Sequence, residues 1–539
     1  MNHLLTVADA VATHARLRPD KIGARDSRRA LTFAQWHDRA SRLASGLLGL
    51  GLVKGDRVAL LAYNCVEWME LYAALARAGL VAVPINFRLT AAEIGYIAGH
   101  CEARAFIVQH DLIDRVDAIR SELAIEPQAY VRISHGHALA HVHDLDAAAA
   151  TGWQDYEALI AAADTDSTTL ASTSATPVLP GDCCALMYTS GTTGKPKGAI
   201  RSHEGNTLMA LATALEMGFT RDDTALLVMP MCHANSLYFS HTCVHLGATC
   251  VIDDRKNFDP QALLATLARE KITFTSLVPT HFIMMLGLPE ATRAQYDVSA
   301  VAKLMISSAP VRKDTKLAIL EYFRNGRLYE LYGATETGWV TLLHPEEQID
   351  RLGTVGREWA GSGAIRMLDV DGVEVPDGEV GELHSRTPYI FDGYWKNPAK
   401  TTECFRDGWC SVGDMAFRGV DGYITLVDRK SNMIISGGEN IYPSEVEGIF
   451  GAHAKIKDVA IIGLPHAKWG EAVQAVVVLH ADQQATAAEL LEWCRSRMAG
   501  FKRPQSVVFV ADHDMPRTAT GKILHRVLRD RMSALAAPN

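Results

Sequence analysis

The residues most suited to chemistry form one run, Tyr188-Thr189-Ser190-Gly191-Thr192-Thr193-Gly194-Lys195-Pro196-Lys197-Gly198. Its glycines lack a Cβ and tolerate positive φ, so successive backbone N–H groups can turn into one concavity suited to an anion. The hydroxyls of Thr189, Ser190, Thr192 and Thr193 add donors, and Lys195 and Lys197 add the charge that a polyphosphate needs neutralised. The expected ligand is a nucleoside triphosphate. The spacing is not that of a P-loop, because Gly191 and Gly194 stand too close together and no Ser or Thr follows the lysine.

Such a loop needs a rigid element to deliver it, and Cys184 to Tyr188 reads as a buried strand running straight into it. Elsewhere Phe33, Trp36, Ala40, Leu43 and Leu47 recur at helical spacing behind Thr32, with Gln35 completing a capping box. Gly51 ends that helix, Gly55-Asp56 turns, and Val58-Ala59-Leu60-Leu61 begins a buried strand, an alternation that returns at Ala73 to Ile85. This predicts an α/β fold, a largely parallel sheet with helices on both faces. At 539 residues, 48% hydrophobic and 21% charged, the chain should form several packed units.

A formal charge of −9 gives no support to nucleic acid as a partner, and no basic cluster suggests an anionic membrane. The N-terminal Met1 to Asp9 carries no basic region before an apolar run, and no stretch of about twenty apolar residues follows, so no integral membrane association is expected. The ten cysteines show no zinc-site spacing and read as reduced thiols of a cytoplasmic protein. Ala536-Ala537-Pro538-Asn539 is not a peroxisomal address. A homodimer is the default assembly. His135, His137, His141 and His143 lack a surrounding carboxylate or cysteine set apart from Asp144 and Asp146, and read as a solvated loop rather than a metal site. Ala161 to Pro180, rich in Ala, Ser, Thr and Asp, reads as an exposed connection.

The glycine-rich run closely resembles the phosphate-binding signature of the adenylate-forming superfamily, which contains acyl-CoA synthetases, firefly-type luciferases and peptide-synthetase adenylation domains. About six ordered motifs over nearly the whole chain carry that resemblance. It implies a phosphate cradle from Thr189, Ser190, Gly191, Thr192, Thr193, Gly194 and Lys197. Leu331-Tyr332-Gly333-Ala334-Thr335-Glu336-Thr337 resembles a second signature. There a carboxylate beside a polyphosphate is costly unless a cation bridges them, which makes Glu336 the expected Mg²⁺ ligand. Tyr332 would stack on adenine and Thr335 would donate to phosphate.

The segment Pro230 to Tyr238 implies that His233 lies between the acyl pocket and the adenylate. Ser307-Ser308-Ala309-Pro310 resembles the segment that meets the adenine, with Ala309 at the nucleotide and serines where many relatives have glycine. In Gly408 to Asp414, the two oxygens of Asp414 can accept from both ribose hydroxyls. Cys410, Ser411 and Val412 replace the usual residues ahead of it, which puts neighbouring polar contacts in doubt. Asp428 matches the hinge, Arg429 the ribose or phosphate side of the nucleotide, and Lys522, in Pro516 to Lys522, the catalytic lysine.

The resemblance implies a large domain, 1–427, with the AMP site and acyl pocket, and a mobile α+β domain, 428–539, hinged at Asp428. Within the latter, helices are expected from Ser444 with Glu447 and from Thr486 with Glu489, and strands at Val459 to Ile462 and Val473 to Leu479. Gly437 and Gly438 would line a pantetheine tunnel, and Trp469, Phe501 and Arg503 would meet the CoA nucleotide.

A carboxylate is a poor acyl donor until its oxygen is made part of a good leaving group. Attack on the α-phosphate of ATP gives an acyl adenylate, and a thiol then displaces AMP. The expected protein is an AMP-forming carboxylic acid:CoA ligase using ATP, Mg²⁺ and CoA. A carrier-protein-loading adenylation enzyme is the alternative, beside a luciferase-like oxygenase and a nucleotide-binding regulator without catalysis. Asn235, Ser236, Tyr238, His281, Trp339 and Val340 are expected near the acyl group. With no arginine among them, the acid should be monocarboxylic and of medium size, whether fatty, aryl or alicyclic.

Overall fold

The helix expected behind Thr32 spans Phe33–Gly49 and has both halves of its capping box: Thr32 N–H donates to Gln35 Oε1 at 3.0 Å and Gln35 N–H to Thr32 Oγ1 at 3.2 Å. Phe33, Trp36, Ala40, Leu43 and Leu47 are all buried, so the apolar stripe is the docking face. Gly51, at φ +90°, takes the chain out of the helix in a conformation that a side chain disfavours.

The computed structural model describes residues 6–134, 152–163, 177–189, 195–307, 311–359, 361–437, 439–466, 468–495, 497–518 and 521–536. His135, His137, His141 and His143, and most of the connection expected over 161–180, lie outside them. All ten cysteines are free. Among the described residues no helix is long and apolar enough to cross a membrane.

Packing divides the chain into two units. Unit 1 comprises Met1–Gly353, Glu358–Gly363 and Arg386–Cys410; unit 2 comprises Thr354–Arg357, Ala364–Ser385 and Ser411–Asn539. Unit 1 is the predicted α/β body. One of its sheets runs in the order Gln154–Asp155, Tyr130–Ile133, Ala103–Gln109, Arg57–Leu61, Val81–Pro84, Cys183–Thr189, Lys197–Ser202, parallel except for the last pair. A second sheet has a parallel centre of Lys303–Ile306, Phe274–Leu277, Thr224–Leu227 and Thr249–Ile252, with Arg327–Ala334 and then antiparallel Gly338–Leu343 beyond it. Helices Glu67–Ala78, His203–Met217 and Ala234–Leu246 share the principal core with residues of both sheets. Thr189, His233, Ser307 and Glu336 all lie at or just beyond the carboxyl end of a strand, where ligands bind in open α/β sheets.

Unit 2 holds an antiparallel set, Ile365–Leu368, Gly381–Ser385, Asp414–Arg418 and Ile424–Arg429. The long hairpin Ile456–His466/Gly470–Leu479 follows, with Ser506–Phe509 parallel to its second strand and helices Pro443–Phe450, Ala487–Arg495 and His525–Ala536. Asp428 lies inside this unit, so packing does not part the chain at 427/428. The reason is local: Asp428 Oδ1 accepts from Arg429 N–H at 2.6 Å and Asn432 Nδ2 at 3.0 Å, while Oδ2 accepts from Ser444 N–H at 2.8 Å.

The helix expected from Ser444 with Glu447 starts at Pro443 without a side-chain cap from Tyr442. Asp428 takes over that role from outside, placing a negative charge on the helix N-terminus. Ser444 Oγ donates instead to the Val427 carbonyl. Thr486 caps the next helix as expected, accepting from Glu489 N–H at 3.2 Å.

Candidate active site

The ends of the glycine-rich loop are pinned to one another: Thr189 closes the strand Cys183–Thr189, Lys197 opens Lys197–Ser202, and the two residues face each other in the antiparallel ladder. Ser190, Gly191, Thr192, Thr193 and Gly194 lie outside the described residues, as do Ala309 and Gly438. Lys197 Nζ lies 4.2 Å from the centre of the Tyr394 ring, and Lys195 Nζ 5.0 Å from that of Tyr96.

Strand Arg327–Ala334 turns through Thr335 and Glu336 into Gly338–Leu343. The turn is tight enough that a Cβ on Gly333 would stand 2.3 Å from the Gly338 carbonyl oxygen, so only glycine fits. Ala334 N–H donates to Thr337 Oγ1 at 3.2 Å. Glu336 is 6% exposed, and its Oε1 accepts from Tyr394 Oη at 2.8 Å and from Thr189 Oγ1 at 2.9 Å. The Thr189 hydroxyl therefore donates to Glu336 rather than standing free for a phosphate. Thr335 is half-buried, and its carbonyl accepts from Arg201 Nη1 at 3.3 Å. Tyr332 is half-buried, opposite Thr341 in the ladder.

Sequence reasoning missed Arg201 and Tyr394. Arg201 is wholly buried, with its guanidinium 5.4 Å from the Tyr238 ring centre. The signal available was an arginine two residues before a helix, directly after the apolar pair Ala199-Ile200. Nothing local marks Tyr394, which reaches Glu336 across 58 residues of sequence.

The donor set around Glu336 suits a divalent cation carried in with a polyphosphate. Among the described residues its carboxylate has no ion-pair partner, and no group of three or more His, Cys, Asp or Glu could hold a metal unaided. Mg²⁺ commonly takes one or two carboxylates together with substrate phosphates and water.

On the acyl side, His233 caps the helix Ala234–Leu246 by position only, and its Nε2 has no hydrogen-bond partner among the described residues. Burial first, then the charge of Arg88, pushes His233 down to about 4, so the ring is neutral at pH 7. Asn235 Nδ2 donates to Ser276 Oγ at 3.0 Å and Ser307 Oγ at 2.8 Å, joining the helix to two strands. Trp339 lies edge-on to Tyr238 at 5.2 Å, and its Nε1 donates to Thr213 Oγ1 at 3.1 Å. Val340, next to Trp339 in the strand Gly338–Leu343, is buried. Ser236 donates back to the Met229 carbonyl at 2.6 Å, and His281 stacks on Phe258 at 4.0 Å. None of the six expected residues is an arginine, yet the charge of Arg88 adds to the burial that lowers the pKa of both His233 and His281, and so Arg88 stands near this side of the unit.

In unit 2, Asp414 and Arg429 face each other across a ladder, with Arg429 Nε 3.1 Å from Asp414 Oδ1. Ser411, one of the residues that departs from the usual pattern, donates to Glu382 Oε1 at 2.7 Å and accepts from Gly413 N–H at 3.0 Å. Glu382 Oε2 in turn takes Lys430 Nζ at 2.8 Å, so a local polar network occupies that place. Lys522 is exposed, but packing around its ammonium and the nearby Arg429 lower its pKa, while Asp414, Asp428 and Glu447 oppose the shift. Glu447 accepts from Ile461 N–H at 2.8 Å and lies 2.6 Å from His525 Nε2. Burial lowers the His525 pKa, but the Glu447 carboxylate outweighs it and the net shift is upward.

Gly437, at φ +62°, donates its N–H to the Trp469 carbonyl at 2.8 Å, and a Cβ there would meet the indole at 3.1 Å. Trp469 and Phe501 are 41% and 44% exposed, with Lys468 and Lys502 over their rings. Arg503 is turned inward, donating to the carbonyls of Arg495 at 2.6 Å and Met498 at 3.3 Å.

Comparison with known proteins shows the family of the chain. Residues 11–395 match the AMP-binding enzyme family and residues 445–522 the AMP-binding enzyme C-terminal domain. The chain is 34% identical to feruloyl-CoA synthase of Amycolatopsis sp, over 96% of this chain and 97% of that protein. It is 32% identical to indoleacetate–CoA ligase of Aromatoleum aromaticum, over 96% of each chain. The structure resembles that of the anthranilate CoA ligase AuaEII in complex with anthranoyl-AMP, with a TM-score of 0.86, 26% identity and coverage of 100% of this chain and 99% of that one. The chain therefore belongs to the AMP-binding enzymes, as an AMP-forming carboxylic acid:CoA ligase.

Proposed function

We propose that the acid activated here is an aryl monocarboxylic acid, that the acceptor is free CoA, and that Glu336 carries the nucleotide-borne metal. The observation behind the metal assignment is the buried Glu336 carboxylate, held by hydroxyls and left without an ion pair among the described residues, and bonded to Thr189, which pairs with Lys197 where the glycine-rich loop closes. The edge-on Tyr238–Trp339 pair, with Phe239 tilted 5.7 Å from Trp339, supports an aromatic acid, since such rings offer edges and faces to another ring. The named relatives act on ring-bearing acids, which supports the same reading.

In the first half-reaction a carboxylate oxygen of the acid bonds to the α-phosphorus and the bond to pyrophosphate breaks. Bound Mg²⁺ would supply charge neutralisation to the phosphates. Thr335, Lys197 and Lys522 add donors and charge toward the developing negative charge, and Asp414 holds the ribose. Neutral His233 orients the acid without competing as a cation. In the second half-reaction the CoA sulfur, as thiolate, bonds to the acyl carbon and AMP leaves with the electron pair of the broken C–O bond. The hinge at Asp428 lets one small domain serve both steps in turn. Trp469 and Phe501 suit stacking on the CoA adenine, while Arg503, engaged with backbone carbonyls, would have to exchange those bonds to reach a phosphate.

The test is a panel of hydroxycinnamic, indole-acetic, benzoic, medium-chain fatty and dicarboxylic acids, assayed for acid-dependent pyrophosphate exchange and for CoA thioester. Aryl acids should lead in both assays. Exchange without soluble thioester would replace CoA with a carrier protein, and turnover confined to dicarboxylates would overturn the monocarboxylic reading and point to Arg88.

A further inference from the structure

Tyr394 belongs to a segment annealed to the strand that leaves the glycine-rich loop. Ile200 N–H donates to the Gly393 carbonyl at 2.9 Å, Asp392 N–H to the Ile200 carbonyl at 3.1 Å, and Trp395 N–H to the Gly198 carbonyl at 2.8 Å. Tyr394 N–H is held by Thr401 Oγ1 at 2.8 Å. Gly393, at φ +133° and with Thr401 2.9 Å from where a Cβ would be, is required for the path. The same segment grips Glu336 twice, through Phe391 N–H to the Glu336 carbonyl at 2.7 Å and through the Tyr394 hydroxyl to Oε1 at 2.8 Å. The phenol is 5% exposed, and burial together with the Glu336 charge keeps it protonated and a donor.

A carboxylate oxygen offers two lone-pair directions. On Glu336 Oε1 both are taken, by Tyr394 and by Thr189 at 2.9 Å, whereas among the described residues no side chain or backbone donor is bonded to Oε2. Small Mg²⁺ demands near-octahedral geometry, while larger Ca²⁺ accepts bidentate carboxylates. Groups that hydrogen-bond a metal ligand from behind typically change metal affinity by about 10–100-fold when removed.

We propose that Tyr394 is a positioning residue that, with Thr189, blocks Oε1 of Glu336 so that only Oε2 is presented, and that this makes the site select a small octahedral cation over a larger one. The inference rests on Glu336 as the metal ligand. It assigns cation selectivity to a tyrosine far from the signature motifs, and it gives the Thr189 hydroxyl a role other than phosphate binding.

The test is ATP binding to the full-length protein without acid or CoA, by calorimetry in EDTA, in Mg²⁺ and in Ca²⁺. Tyr394→Phe keeps the ring beneath Lys197 and removes only the hydroxyl. Metal-free ATP affinity should stay at the wild-type value, affinity with Mg²⁺ should fall about tenfold, and affinity with Ca²⁺ should change little, so that the Mg²⁺ preference drops about tenfold. Thr189→Val should act in the same direction, and it decides the matter if Tyr394→Phe does not fold. Equal losses in all three conditions would reduce Tyr394 to a packing residue and overturn the proposal, as would an unchanged Mg²⁺ to Ca²⁺ ratio. Glu336→Gln separates the premise from the inference. If it abolishes the metal effect while the hydroxyl variants keep wild-type selectivity, only the role of Tyr394 falls. If it leaves the metal effect intact, Glu336 is not the ligand and both assignments fall.

Discussion

In unit 1 the Glu336 carboxylate is bound by two neutral hydroxyls and, among the described residues, by no cation, whereas in unit 2 Asp414, Glu382 and Glu447 each face a basic side chain, Arg429, Lys430 and His525. Burying an unpaired charge is costly, and hydrogen bonds to the charged form offset part of that cost. The remainder is a standing attraction for a cation. Those three carboxylates of unit 2 are already paired, so a ribose that uses Asp414 must share it with Arg429. Among the described residues Glu336 thus keeps a charge that no cation neutralises, while those three carboxylates of unit 2 are each matched by a basic side chain.

The largest expected effect tests whether the charge cluster of unit 2 acts through Lys522. Lys522→Ala should lower acid-dependent pyrophosphate exchange by about 10²–10³, the usual result of removing a donor aimed at transition-state charge. Thioester formation from a supplied acyl adenylate and CoA should stay near the wild-type rate. Equal damage to both half-reactions would mean that the lysine serves the fold of its unit or never leaves the site.

Next is Asp414. Its replacement by Ala should weaken ATP binding by about 1.5–3 kcal/mol for each charge-assisted hydrogen bond to the ribose that it removes, read by calorimetry. Unchanged affinity would show that Arg429 is the only partner of Asp414 and would leave the ribose without its assigned acceptor.

Gly437→Ala sharpens the comparison from the packing side. A left-handed φ costs a non-glycine residue about 1–2 kcal/mol, and the methyl would meet the Trp469 indole at 3.1 Å. Unit 2 should unfold at a lower denaturant concentration with unit 1 unaffected. A shift confined to unit 1 would contradict the assignment of this hairpin to unit 2.

The smallest net effect is expected in pH, because the units respond in opposite directions. His203 and His233 are pushed down to about 4 and His241 to about 3, chiefly by burial, from an ordinary 6.5. Below about 6.5 the unfolded chain therefore takes up protons that folded unit 1 refuses, and unit 1 loses stability as the pH falls toward 4. His525 is raised above 6.5, so its contribution is fully present below 6.5 and is lost as the pH rises through the raised value. Calorimetric scans between pH 8 and pH 5.5 should show the unit 1 transition falling on acidification, and His525→Gln should remove part of the acid-side stability of unit 2. A unit 2 transition with the same pH dependence in wild type and His525→Gln would count against the Glu447–His525 pair.

The α/β body was legible because its signals are local. The Thr32–Gln35 box, the stripe from Phe33 to Leu47 and the apolar strand Val58–Leu61 depend on residues three or four apart, or on alternation, and each formed as read. The helix cap at Pro443 was misread because its acceptor side chain, Asp428, is 16 residues from the Ser444 amide that donates to it, a pairing that a strand must first bring about. Likewise Arg503 reads as a free cation, and only the end of helix Ala487–Arg495 and Met498 beyond it supply the carbonyls that hold it.

The sequence by itself determined the family and the chemistry, because the phosphate loop, the Glu336 turn and the Lys522 loop are contiguous runs in which residue type and spacing carry the information. Only the tertiary structure decided which groups those residues meet. Tyr394 and Thr189 converge on one oxygen of Glu336 from 58 and 147 residues away, and Arg201 reaches the Thr335 carbonyl from 134 residues away. Hydrogen bonds act over about 3 Å, so their partners are set by which strands lie side by side, and that order follows from burying the whole apolar surface rather than from any one motif.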